Sequence, residues 1–375
     1  MTLGPNECLL NAQDLAQQLS TPALLLDLDG FEANLRAMAE AVAKAGRKVR
    51  PHVKAHKSVQ VAKRQLAAGA VGLCCATVRE AEIMAAAGLD GLLLTTPVLG
   101  RGMIERLLAV RERITDLAVV VDCAAGVEAL AARARTERPV GVLIDIDMGQ
   151  LRTGVTNAED AVELARLIES RPSLRYLGVQ AYYGHLQHVA ALADRREKVR
   201  EKWARLDGFL GTLRSAGLPA GIVSGGGTGT HHLDLAEGPF TEIQPGSYLF
   251  MDKQYRAVEL APGGAPFQTA LTLATRVVSN AQPDRVIVDA GLKAMATEAG
   301  PPLVATGAAT NAGYIFMGDE HGGLLCPGGA NRPALGALVT LIAPHCDPTV
   351  NLHAQLHLVR GGRLVDIWPI EARSY

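Results

Sequence analysis

The sequence predicts a (β/α)8 barrel of the TIM type followed by a C-terminal, mostly antiparallel β domain. Between about residues 30 and 250, eight short apolar runs alternate with stretches of helical periodicity. After about residue 262 that periodicity fades, and short β-rich runs appear between Gly and Pro turns. The length, 375 residues, suits two or three domains. The reading places a barrel over residues 22–260 and a β domain over 261–375.

Phe31, Leu35, Met38 and Val42 recur at three- and four-residue spacing, as on one face of a helix. The first strand follows at Val49–Val53. A helical stretch over Val59–Ala67 leads to a second strand at Val71–Val78. A helix through Ala81–Ala87 ends at Gly88, a suitable C-cap. The remaining strands are Leu92–Val98, Leu117–Asp122, Val140–Asp147, Leu174–Tyr183, Gly221–Ser224 and Thr241–Phe250. Buried parallel strands read as continuous apolar runs, and these do. Eight such units that close on themselves make a barrel. An open doubly wound sheet is the alternative, because counting strands does not prove closure. In the second domain, strands are expected at Ala270–Val278, Arg285–Asp289, Ala337–Ile342, Gln355–Val359 and Arg363–Pro369. Ala23–Asp29, in an N-terminal segment 1–29, fits either domain.

Net charge is −1, which gives no electrostatic footprint for nucleic acid or an anionic membrane. No apolar run is long enough to span a bilayer. The N-terminus lacks the pattern of a signal peptide. The six cysteines show no C-x-x-C spacing and read as reduced thiols of a cytoplasmic protein. Adjacent Cys74 and Cys75 on a strand point to opposite faces.

Five segments carry candidate chemistry. In Arg50-Pro51-His52-Val53-Lys54-Ala55-His56-Lys57, a lysine follows the first strand and faces the barrel mouth. Such a lysine forms a Schiff base with an aldehyde cofactor if its surroundings lower its pKa. A solvated basic loop is the bland alternative. Ser224-Gly225-Gly226-Gly227-Thr228-Gly229-Thr230 follows the seventh strand, where barrels commonly hold phosphate on backbone N–H groups. Gln244-Pro245-Gly246-Ser247-Tyr248 in the eighth is a second candidate, and a glycine-rich turn without ligand is the alternative. Asp145–Gly154 after the fifth strand places Arg152 near the mouth, or in a surface ion pair. Tyr182-Tyr183-Gly184-His185-Leu186-Gln187-His188 after the sixth offers a general base, though a lone histidine is more often structural. His345 and Asp347, two apart on a segment read as extended, point the same way. Together they suit a divalent ion and leave positions open for water and substrate.

Taken together, these segments resemble the D-threonine aldolase and D-serine dehydratase family, fold-type III pyridoxal-phosphate enzymes that share a barrel-plus-β-domain fold with alanine racemase. The resemblance runs from Thr21-Pro22-Ala23 to the C-terminus. It includes Arg50–Lys54, Ala68–Cys75, Ser224–Gly229, Gln244–Asp252, Val288–Lys293, Asp319–Gly322 and the His345 segment. It implies that Lys54 carries pyridoxal 5'-phosphate, that Thr228, Gly246 and Ser247 hold its phosphate, and that Tyr255 and Tyr183 border it. Arg152 approaches the ring's phenolic oxygen. His345 and Asp347 bind a divalent metal, Mn²⁺ or Mg²⁺ with Zn²⁺ as a third candidate. His188, in the Gln-His pair, matches the expected base, with His185 as its alternative. Relatives often carry Gln after the Cys-Cys pair, whereas this chain has Ala76, so one cofactor contact is changed.

The resemblance implies an aldolase that cleaves a D-β-hydroxy-α-amino acid to glycine and an aldehyde, acting as a homodimer. D-threonine, D-phenylserine and 3-hydroxy-D-aspartate are the candidate substrates. Family dehydratases tend to have H-x-C at the metal pair, and H-x-D here favours the aldolase. Two alternatives stand: a D-serine or 3-hydroxy-D-aspartate dehydratase, which yields a keto acid and ammonia, and a non-catalytic pyridoxal-phosphate carrier. The appended β domain argues against the carrier, which resembles the barrel alone.

Overall fold

The computed structural model describes residues 4–12, 15–309, 311–329 and 332–374. The first strand, β1 (Ala23–Asp27), precedes the barrel. Eight short strands then follow: β2 (Lys48–Val49), β3 (Leu73–Cys75), β4 (Leu92–Leu94), β5 (Leu117–Val121), β6 (Val140–Asp145), β7 (Leu174–Ala181), β8 (Ile222–Gly225) and β9 (Glu242–Ile243). Every neighbouring pair is parallel, in the order β2-β9-β8-β7-β6-β5-β4-β3. The two ends meet through a parallel bridge between His52 and Cys74, supported by Cys74 N–H donating to the Pro51 carbonyl at 2.9 Å. The sheet therefore closes, and the open-sheet alternative is set aside.

Strand periodicity sorts the side chains as expected. Cys74 joins Leu93, Ala118, Val120 and Leu143 in the barrel interior, while Cys75 packs in the layer between barrel and helices. The floor of the barrel holds a buried ion pair. The Arg50 guanidinium donates from Nε and Nη2 to the Glu242 carboxylate at 2.8 and 3.1 Å, joining β2 to β9. Arg50 also donates to the Gly91 carbonyl. A Cβ at Gly72 would lie 2.3 Å from Arg50 Nη1 and 2.0 Å from that carbonyl, so only glycine fits there.

The second sheet comprises β10 (Leu271–Ser279), β11 (Arg285–Val288), β12 (Leu303–Thr306), β13 (Tyr314–Phe316), β14 (Gly322–Leu325), β15 (Leu338–Ile342), β16 (Gln355–Arg360) and β17 (Arg363–Pro369). The strands β12, β13 and β14 add to those read from the sequence. β1 lies inside this sheet, antiparallel to β10 and parallel to β16. This strand, which from the sequence fits either domain, thus joins the β-domain sheet, and the helix Leu28–Lys44 follows it. A helix at Cys346–Leu352 connects β15 to β16 and hangs over the barrel mouth.

Removing one partner of a buried ion pair strands the other charge. Arg50→Met is expected to lower stability by about 3–5 kcal/mol, read from urea midpoints. Arg50→Met combined with Glu242→Leu should recover most of that loss.

Candidate active site

Lys54 lies in a one-turn 3-10 helix, Val53–Ala55, directly after β2. His52 Nδ1 accepts the Lys54 backbone N–H at 3.4 Å, and His52 Nε2 pairs with Thr95 Oγ1 at 3.1 Å. With Nδ1 accepting, the ring proton belongs on Nε2. Burial, then the Lys54 charge, holds the His52 pKa well below the usual histidine value, so the ring is neutral. His52, Lys54, Ala76, Arg152, Gln180 and Tyr182 line one cavity at the carboxyl ends of the strands.

Lys54 has a carboxylate and an aromatic ring for neighbours. Its Nζ lies 4.0 Å from Asp347 Oδ2 and 5.8 Å from the centre of the Tyr182 ring. Burial works to lower the Lys54 pKa, but Tyr182 and the Asp347 carboxylate work to raise it, and the net direction is upward. The lowered pKa posed as a condition from the sequence is not what this arrangement gives. Arg152 faces the same Tyr182 ring at 5.6 Å. Its loop is pinned: Asp147 Oδ1 accepts the N–H groups of Gly149, Gln150 and Leu151, and Thr153 Oγ1 donates to Asp145.

The expected phosphate residues come together from two strands. Thr228 Oγ1 accepts the Tyr248 N–H at 3.0 Å, which sets the β8 loop against the turn after β9. Gly246 packs on the lysine turn, where a Cβ would lie 3.1 Å from Ala55 Cβ. The Ser247 hydroxyl is committed elsewhere, donating to Asp347 Oδ1 at 3.1 Å. Its backbone N–H is the group left to face an anion.

Tyr183 is the one expected cofactor contact that the structure turns away. It is fully buried, with its hydroxyl bonded to Asp234 and to Trp203 Nε1. Along β7 and its extension, Gln180 and Tyr182 face the cavity, so Ala181 and Tyr183 face the helices. Tyr182, present in the sequence motif but not singled out there, is the member of the pair that the two-residue period turns toward the cavity.

The histidines separate in the same way. His188 packs against Tyr255 with ring centres 4.6 Å apart. Burial lowers its pKa first, His345 and Lys54 add to that, and Asp347 opposes it. His185 instead answers to Lys202 and Asp147, on the other side of the loop. His188 is thus the histidine grouped with Lys54, His345 and Asp347.

The His345–Asp347 segment is not extended. His345 caps the helix Cys346–Leu352, and Asp347 sits in its first turn. Asp252 anchors this helix, its Oδ2 accepting the Cys346 N–H at 2.8 Å while its Oδ1 accepts the Tyr255 N–H at 2.9 Å. Glu298, which the sequence gave no reason to single out, meets His345 Nδ1 at 2.6 Å and leaves Nε2 free. Among the described residues, no three His, Cys, Asp or Glu side chains form a ready metal cage.

Comparison with known proteins agrees with this architecture. Residues 26–254 match the model of the alanine racemase N-terminal domain, and residues 270–359 match a serine dehydratase domain model. A D-threonine aldolase of Arthrobacter sp. is 39% identical over 363 residues, covering 96% of this chain and 95% of that protein. A 3-hydroxy-D-aspartate aldolase of Paracoccus denitrificans is 36% identical over 363 residues, covering 95% and 93%. The crystal structure of D-threonine aldolase from Filomicrobium marinum superposes with a TM-score of 0.91 at 35% identity, covering 95% of this chain and 96% of that one. The chain belongs to the family of D-threonine and 3-hydroxy-D-aspartate aldolases, lyases with an alanine-racemase-type barrel, a family that implies pyridoxal phosphate as cofactor.

Proposed function

We propose that the chain is a pyridoxal-phosphate- and divalent-metal-dependent aldolase that cleaves D-β-hydroxy-α-amino acids to glycine and an aldehyde. The observation that carries this reading is the 4.0 Å approach of Lys54 Nζ to Asp347 Oδ2. It sets a carrier amine from the barrel beside a carboxylate from the β domain, and His188 lies close enough to feel both charges.

The donor set fits the cofactor. The Lys54 amine and the Arg152 guanidinium line one cavity and suit an aldehyde and a phenolic oxygen, and the loop of Thr228, bonded to the turn after β9 that carries Ser247, would offer its backbone N–H groups to a phosphate. When bound, pyridoxal phosphate supplies an electron sink for the charge left at Cα. The metal fits as an open site. His345 Nε2 and an Asp347 oxygen would hold it, with Glu298 fixing the ring from Nδ1. When bound, Mn²⁺ or Mg²⁺ acidifies a hydroxyl oxygen.

The chain's own residues do the rest. His188, kept neutral by burial and by the neighbouring His345, accepts the β-hydroxyl proton, directly or through water. The O–H electron pair becomes the carbonyl of the departing aldehyde as the Cα–Cβ bond breaks, and a proton returned to Cα gives glycine. Tyr255 backs the His188 ring and limits its rotation. Helix Cys346–Leu352, held by Asp252, keeps the hydroxyl-activating pair at the mouth. A carrier protein needs no such pair, which speaks against the non-catalytic reading.

A panel of D-threonine, D-phenylserine and 3-hydroxy-D-aspartate with Mn²⁺ or Mg²⁺ tests the proposal. Glycine plus aldehyde is expected, lost on chelation with EDTA and restored by metal. Ammonia plus keto acid would make the protein a dehydratase. Lys54→Ala should abolish the visible absorbance of bound cofactor, whereas Asp347→Ala should keep that absorbance and lose turnover. His188→Ala is expected to lower kcat by roughly 10²–10⁴-fold, with His185→Ala near wild type in the same assay.

A further inference from the structure

We propose that Gln187 is a positioning residue that couples the anion-holding glycine loop to the turn that aims His188. The inference rests on the reading of that loop as the phosphate site and of His188 as the base. The geometry itself does not depend on that reading.

Gln187 is 1% exposed and ends the one-turn helix Gly184–Leu186, with its N–H on the Gly184 carbonyl at 3.1 Å. Its side chain does not turn back to that helix. Oε1 accepts the Gly229 N–H at 2.9 Å, and Nε2 donates to Thr230 Oγ1 at 3.1 Å. The amide orientation is set by its partners. The Gly229 N–H is a donor only, and the Thr230 hydroxyl already gives its hydrogen to Asp234 Oδ2 at 2.5 Å. Thr230 Oγ1 therefore accepts twice, from Gln187 and from the Gly227 N–H at 3.2 Å. Asp234 in turn accepts the Tyr183 hydroxyl, which returns the network to the strand that leads into the His188 loop.

Packing says the same thing. A Cβ at Gly227 would lie 2.6 Å from Gln187 Oε1, and a Cβ at Gly229 would lie 1.9 Å from the Gln187 carbonyl oxygen. These two glycines, read from sequence as allowing close approach to an anion, are required by close approach of Gln187. The loop cannot reshape around a phosphate without moving residue 187, and residue 188 is the next along the chain. Cofactor loading and base placement are thereby one mechanical event.

The test uses full-length Gln187→Leu and Gln187→Glu. Leu removes both arms. Glu keeps the acceptor for Gly229 but faces Thr230 Oγ1 with a second acceptor. Two cofactors are titrated by absorbance and fluorescence: pyridoxal phosphate and phosphate-free pyridoxal. Gln187→Leu should weaken pyridoxal phosphate about tenfold, from the loss of one to two buried hydrogen bonds, while pyridoxal affinity stays as in wild type. At saturating pyridoxal phosphate, kcat should fall with KM unchanged. Gln187→Glu should show the same pattern in smaller degree, and it carries the test if the Leu variant does not fold. Equal weakening of both cofactors, or wild-type affinity and kcat in both variants, overturns the coupling. Failure of the wild-type chain to bind pyridoxal phosphate would instead overturn the proposed function and is read separately, in the control titration.

Discussion

The site depends on one buried carboxylate. Asp252, fully buried, spends one oxygen on the N–H of Tyr255 and the other on the N–H of Cys346. The first bond caps the short helix that ends the barrel chain. The second satisfies the first free N–H of the helix that begins with the His345 segment. Burial works to raise the Asp252 pKa, and the two backbone donors work against it. Without this link, His345 and Asp347 would belong to a domain that merely lies near the barrel. With it, Lys54 and Asp347 are held at ion-pair distance, and Ser247 adds a second tie by donating to Asp347.

Much of the scaffold was legible because parallel strands buried on both faces need continuous apolar runs, and each of the eight runs became a strand. The candidate site was legible in part for a similar reason: the ends of barrel strands are where chemistry collects, so the loops bearing Lys54, Arg152 and the His185/His188 pair could be placed by counting strands, and the family resemblance then favoured His188. The misreadings share a cause, which is that non-local geometry leaves little trace in a short window. Nothing in Ala23–Asp27 says that its partners are β10 and β16. The His345–Asp347 spacing is compatible with an extended segment and with a helix start, and the Asp252 cap, distant in sequence, selects the second. Tyr182 and Tyr183 differ only in parity along β7. The glycines of the β8 loop advertise close approach without naming what approaches.

The mouth is also notable for how its charges are arranged. Two cations, Lys54 and Arg152, flank one aromatic ring, and the carboxylate paired with Lys54 at 4.0 Å comes from the other domain. His52 beneath them is held neutral, so it adds a hydrogen-bond acceptor without adding a third positive charge. A phosphate-bearing cofactor of the kind the family implies would meet a cationic wall from the barrel and a carboxylate-and-imidazole wall from the β domain.

The placement of β1 has a consequence for how the chain is made. Leu26 is paired with Leu271 and Leu25 with His357, so the strand made before the barrel lies between two that are made after it. While the ribosome works through the barrel, β1 has no neighbour, and its backbone N–H and C=O groups remain open. The contact that completes the sheet is among the most distant the chain makes, and such contacts form slowly. The apolar ribbon Leu24, Leu25 and Leu26 therefore waits without a sheet partner until the whole barrel has been made, an exposure that comes from the topology rather than from any single residue.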